Sequence, residues 1–129
     1  MTEKQRLQGI KACFKTLTHK MVDDIVVLAR AERQKSSVRQ SKARAAVGTY
    51  IQRWPHPTAK SYIESLPRRT QHELLAWMLF GREPYAFSVQ DVAAVCSPKL
   101  KNSLDIAGYL TSKYQLPDYL ERAMQFIDL

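Results

Sequence analysis

The chain has 129 residues, 45% hydrophobic and 25% charged, which suits one domain built around a single core. At this size folding buries roughly two-thirds of the surface that the unfolded chain exposes, so no disulfide or metal staple is required. Cys13 and Cys96 are the only cysteines and form no CxxC pair, a usage that suits two small core thiols in a reducing compartment. "MTEKQRLQGI" lacks the apolar stretch of a signal peptide, and the longest apolar run, Leu74–Phe80, is far too short to span a bilayer. The expected location is the cytoplasm, with no membrane partner.

The formal net charge is +8, and it is unevenly placed. Residues 1–29 carry a net +2, residues 30–69 a net +8 and residues 70–129 a net −2. A field concentrated on one segment suggests an anionic partner more than an even spread would.

In chain order, few glycines and recurring i, i+3, i+4 apolar spacing predict helices throughout. Leu7, Ile10, Phe14 and Leu17 mark an amphipathic helix over roughly residues 4–16. Thr18 is a candidate N-cap for a second helix running to about residue 34, with Leu17 and Val22 as a hydrophobic staple. The apolar stripe also continues through the junction, which leaves open one long helix instead of two. Residues 34–41 show no useful periodicity and read as a mobile basic linker or loop. Helical spacing resumes over 41–54 and must stop at Pro55 and Pro57. Thr58 is placed to cap a short helix with Tyr62, Ile63 and Leu66 inward.

The clearest helix is "TQHELLAWMLFG", with Thr70 and Glu73 as a capping box and Gly81 as its C′ residue. It is apolar on every side from Leu74 to Phe80, which puts residues 71–80 at the centre of the fold. Ser88 and Asp91 repeat the capping signal for a helix through Val92 and Val95. Ser97–Pro98 reads as N-cap and N1 for the next, carrying Leu100, Leu104, Ala107 and Tyr114 inward. Pro117 opens the last helix, with Leu120, Ala123, Met124 and Ile127 inward. The expected fold is all-α: a single compact bundle of six to seven short helices spanning residues 1–129.

"ELLAWMLFGRE" (Glu73–Glu83) and "AGYLTSKYQLPDYLERAM" (Ala107–Met124) resemble an uncharacterised family of small bacterial helical domains, a domain of unknown function. In that family's pattern an apolar helix ends in Gly-Arg-Gly, a Tyr-Leu element precedes a proline, and an Asp-Tyr-Leu-Glu helix follows. Gly81, Arg82, Tyr109, Leu110, Pro117, Tyr119 and Leu120 occupy the motif positions, and Glu83 replaces the second glycine. "LTHKMVDDIVVLARA" (Leu17–Ala31) resembles the family's leading helix, and the basic middle falls outside the resemblance. The resemblance implies a helical fold and no established activity.

Candidate functional residues come chiefly from the basic segment. Arg33, Lys35, Arg39, Lys42, Arg44, Arg53, Arg68 and Arg69 supply the long cationic reach that phosphate recognition uses, and most are the bidentate arginine. Tyr50 and Trp54 are candidate stacking faces for unpaired bases. Against this stands the plainer alternative of a solvated face with both aromatics in the core. Arg82 is open to two readings, a ligand contact or a partner for the last helix carbonyls and Glu83. His19, His56 and His72 lack metal-ligand spacing, and no metal or cofactor is expected. His72 and Glu73 are adjacent, yet Glu73 is already explained by capping, and no nucleophile elbow or phosphate loop occurs. Binding is therefore expected in preference to catalysis. The leading expectation is a module that contacts nucleic-acid backbone, DNA or RNA, through residues 30–69 with low sequence specificity. The alternative is a protein-interaction adaptor or self-associating subunit that docks an acidic protein surface.

Overall fold

The computed structural model describes residues 2–37, 58–97 and 104–129, and these form seven helices with no strand among them. They are α1 (Glu3–Ala12), α2 (His19–Ser37), α3 (Ala59–Ser65), α4 (Arg68–Arg82), α5 (Val89–Cys96), α6 (Ile106–Thr111) and α7 (Leu116–Met124). Five begin where a side-chain oxygen accepts a free backbone N–H: Thr2 from Gln5, Thr18 from Met21, Thr58 from Ser61, Ser88 from Asp91 and Asp105 from Gly108. The expected caps at Thr18, Thr58 and Ser88 are therefore present, and Pro117 sits in the first turn of α7 as expected.

α4 is the central rod. Leu74, Leu75, Ala76, Trp77, Met78 and Phe80 are all buried, with α5, α6 and α7 packed around it. α2 packs on α7 and on α3, and α1 leans on α5. The Tyr62 hydroxyl donates to Asp24 Oδ2 at 3.0 Å, tying α3 to α2. Burial, and then that neighbouring carboxylate, pushes the phenol up to about 12.

Several local expectations need correction. α1 ends at Ala12, not near 16, and the 13–18 turn separates it from α2, so the two do not run as one helix. α2 extends to Ser37, so residues 34–37 of the expected linker are helical. Gln, Lys and Ser carry no helix-breaking geometry, and no Gly or Pro stands there to stop the helix. The expected helix over 41–54 and most of the linker lie outside the described residues. Ser97 is the C-cap of α5, the residues expected to open the next helix at Pro98 lie outside the described residues, and the next described helix begins at Ile106 after non-helical Leu104 and Asp105. Tyr114, expected inward, is 71% exposed because α6 ends at Thr111 and the following turn rotates it outward.

The largest correction concerns α4 itself. It starts at Arg68 after Pro67, so Thr70 and Glu73 lie inside the helix and form no capping box. Glu73 is fully buried and reaches out of its own helix. Its Oε1 accepts the N–H groups of Thr16 and Leu17, each at 3.0 Å. Its Oε2 accepts the Thr16 hydroxyl at 3.1 Å and Arg69 Nε at 2.7 Å. Gly81 is likewise not a C′ residue, since the helix continues through Arg82. A Cβ at Gly81 would stand 1.9 Å from the Tyr119 carbonyl oxygen, so α7 crosses α4 in near backbone contact there. The Trp77 indole N–H donates to the Leu120 carbonyl at 3.1 Å within the same crossing.

Two predictions follow from this packing. Burial alone would raise the Glu73 pKa, but the hydrogen bonds from Arg69, Leu17 and Thr16 outweigh it and hold the carboxyl below its ordinary value. Burial holds His72 below its ordinary value as well. The unfolded chain thus binds more protons than the folded one at both groups, so stability falls on acidification. The loss should begin near the ordinary histidine pKa of about 6.5 and steepen below the ordinary glutamate value of about 4.3. Glu73→Gln should cost about 3 kcal/mol at neutral pH and flatten the steeper limb, as read from urea unfolding across a pH series. Gly81→Ala should cost about 3 kcal/mol through overpacking against helix backbone, although alanine is the better helix former by about 1 kcal/mol. A neutral or stabilising Gly81→Ala in the same urea assay would refute the close crossing.

Candidate functional site

The predicted cationic residues fall into three groups. Arg33 lies on α2 and is engaged: Nη1 donates to the Tyr114 carbonyl at 3.3 Å and to Asp118 Oδ2 at 3.4 Å. Its guanidinium also lies 4.8 Å from the centre of the Tyr114 ring. Arg69 is engaged too, by Glu73 and by the Cys13 carbonyl at 3.2 Å. Arg68 opens α4 and is half-buried. Lys35 falls in the last turns of α2. Arg39, Lys42, Arg44, Arg53 and the two stacking candidates Tyr50 and Trp54 lie outside the described residues.

Sequence reasoning missed the network that holds Arg33. Arg30 forms a two-pronged ion pair with Glu121, its Nη1 donating to Oε2 at 3.0 Å, and stands 3.5 Å from Asp118. Arg30 and Arg33 are three residues apart on α2, and Asp118 and Glu121 are three apart on α7. The matched i, i+3 spacing puts each pair on one helix face, and that was the legible signal. Glu32, between the two arginines, accepts the first N–H of α3 at Ala59 at 2.6 Å. Between α2, the start of α3 and the α6–α7 turn lies a cleft of about 170 Å³, lined by Glu32, Arg33, Ala59, Lys113, Tyr114 and Pro117. Its floor is apolar, and its Glu32 and Arg33 already have protein partners.

The motif residues are structural in large part. Gly81 and Tyr119 face each other across the α4–α7 crossing. Leu110 and Pro117 are buried, and Tyr109 is half-buried beneath Lys113, whose Nζ lies 4.7 Å from the ring centre. The Tyr119 hydroxyl donates to Gln115 Oε1 at 2.6 Å. Arg82, the last residue of α4, has its Nε 3.9 Å from the Glu83 carboxylate, while that buried nitrogen makes no hydrogen bond among the described residues.

The candidate acid–base pair does not assemble. His72 is buried with Nδ1 3.3 Å from the Val95 carbonyl on α5, whereas Glu73 is turned toward the 13–18 turn. The carbonyl accepts, so the imidazole proton sits on Nδ1. His19 pairs with Asp23 at 2.9 Å on the exposed face of α2. Among the described residues no three His, Cys, Asp or Glu side chains gather as a metal-binding group. Both cysteines are free thiols, and burial raises the pKa of each, that of Cys96 to about 12. A thiol held protonated is a poor nucleophile.

No described helix is long and apolar enough to cross a membrane. No curated protein and no solved structure matches the chain. A family model described as "Protein of unknown function (DUF3775)" matches residues 57–129. The match takes in the Gly81–Arg82 and Asp118–Glu121 motifs, starts within the basic 30–69 segment so that Arg68 and Arg69 fall inside it, and does not reach Leu17–Ala31. With more than half of its length matched, the chain belongs to the DUF3775 family.

Proposed function

We propose that the protein is a binding module without chemistry of its own, which contacts nucleic-acid phosphates through the basic segment between α2 and α3. The observation that carries this reading is how charge divides along the chain. The described residues hold all 12 acidic side chains and 14 of the 20 basic ones, a net +2. The remaining +6 belongs to residues 38–57 and 98–103, which contain no acid. Within the helical body Arg30, Arg33 and Arg69 are matched to Glu121, Asp118 and Glu73. Arg39, Lys42, Arg44 and Arg53 have no carboxylate within their own stretch of sequence, so an outside anion is the natural complement.

This reading narrows the earlier set of eight cations. Arg33 and Arg69 serve the fold, and the proposed contacts rest on the four between residues 38 and 57. Low sequence specificity is expected, because phosphate contacts position a protein without reading bases. A reducing cytoplasm fits two protonated, unpaired thiols.

The test is fluorescence anisotropy with labelled single- and double-stranded DNA and RNA across a salt series. If about six phosphates of duplex DNA are neutralised, log affinity should fall with log salt at a slope of about −5. Changing Arg39, Lys42 and Arg44 together to Glu should abolish binding while leaving the unfolding midpoint unchanged. Arg33→Ala should do the reverse, costing up to about 1 kcal/mol of stability as an exposed ion pair lost, with binding nearly intact. Absence of binding at low salt would overturn the reading. Capture of an acidic protein that resists polyanion competitors would transfer the segment to a protein partner.

A further inference from the structure

A second surface, built only from described residues outside 30–69, is independent of the reading above. Tyr85, in the turn between α4 and α5, is 75% exposed. Its ring is nevertheless packed on one side, and the turn that carries it is braced beneath. Its ring meets Phe126 edge to face at 5.6 Å, and Phe126 meets the core ring of Phe80 at 5.9 Å. Phe80 contacts Trp77, and Trp77 contacts Phe14, so a continuous ladder of rings runs from the core to the surface. Beneath the turn, the Arg6 guanidinium donates to the carbonyls of Pro84 at 2.9 Å and Phe87 at 2.6 Å. Glu3 in turn holds Arg6 at 2.7 Å.

Beside this aromatic, α1 and the residues after α7 enclose a groove of about 460 Å³, lined by Lys4, Leu7, Gln8, Lys11, Phe126 and Ile127. The floor is Leu7, Phe126 and Ile127. Lys4 and Lys11 are exposed, seven residues apart and hence two turns apart on one face of α1, and neither takes part in an ion pair among the described residues. Asp128 is the one carboxylate on the lining. An exposed tyrosine on a backbone-braced turn, beside an apolar floor, is the pattern of an interaction anchor.

We infer that this groove docks an amphipathic helix of a partner protein, its apolar stripe on Leu7, Phe126 and Ile127 and its acidic flank on Lys4 and Lys11. The groove runs two turns along α1, which matches anchors at i, i+3 or i+4, and i+7 of an entering helix. Charge chooses the occupant: two unpaired ammonium groups on one rim favour carboxylates there and disfavour a basic helix. Tyr85 extends the apolar contact at the Phe126 side.

The test uses two synthetic helical peptides with leucines at those spacings. One has glutamates along a single flank, and the other has lysines at the same positions. Binding is followed by fluorescence anisotropy and by amide NMR shifts of the full chain. The glutamate peptide should bind and shift Leu7, Lys11 and Phe126, with the lysine peptide about tenfold weaker. The Lys4→Glu, Lys11→Glu double variant should invert that order. Tyr85→Ala should weaken the glutamate peptide about tenfold, with amide shifts elsewhere unchanged as the folding control. Equal affinity for both peptides, shifts centred away from the groove, or no binding at all would overturn the inference. So would self-association that Tyr85→Ala abolishes without any peptide response, which would assign the patch to a second copy of the chain.

Discussion

The fold depends on the near-contact of two helix backbones where α7 crosses α4. Only a hydrogen at position 81 leaves room for the Tyr119 carbonyl, and four residues earlier Trp77 uses its indole N–H on the next carbonyl, that of Leu120. One turn of α4 thus supplies both the clearance and the directional bond. A large buried aromatic with its polar atom satisfied stabilises strongly, whereas the same ring with an orphaned N–H would be costly. The two stretches that carry the family resemblance supply the two helices of this crossing. Its motif residues therefore describe how a helix pair is locked, and they impose the rest: with α7 fixed on α4, Asp118 and Glu121 are carried into reach of Arg30 and Arg33 on α2.

Glu73 does for the amino-terminal arm what Gly81 does for the carboxy-terminal one. The 13–18 turn leaves the N–H groups of Thr16 and Leu17 without helical partners, and a buried carboxylate one layer away accepts both. Arg69, one turn before Glu73 on α4, balances the charge and also holds the Cys13 carbonyl. A buried anion is tolerable only when hydrogen-bonded and paired, and here every partner comes from the turn or from its own helix. A residue that would be a surface cap in a solvated helix has become the joint between α1–α2 and the core.

Local signals were legible in the sequence where local chemistry decides. Thr18, Thr58 and Ser88 cap helices because a hydroxyl three residues before an unpaired N–H acts within one turn. The all-apolar run from Leu74 to Phe80 is central because no face of it tolerates water. Tertiary demands were not legible. Thr70 and Glu73 have capping-box spacing, yet Arg68 and Arg69 extend the helix backwards and burial recruits the carboxylate elsewhere. Gly81 reads as a helix terminator by its backbone freedom, but its role is volume, which is set by a segment about forty residues away. Arg33 and Arg69 read as ligand contacts for the same reason: an arginine's partner is unspecified until the chain brings a carboxylate to it.

That outcome sharpens the electrostatics. A helical body near neutrality gains nothing from repelling itself, and its acids are arranged to fix its own arginines in place. The rest of the positive charge lies on residues 38–57 and 98–103, stretches of sequence that contain no acid of their own. The separation has a consequence for how the molecule can vary. Reversing a paired charge in the body breaks an ion pair and is felt as stability, whereas on the proposed reading reversing one between α2 and α3 is felt as lost affinity for an anion. Tyr85 and Lys4 follow the same logic: among the described residues nothing covers most of the tyrosine ring and no carboxylate pairs the ammonium. Groups that the fold does not use are the ones left free to bind.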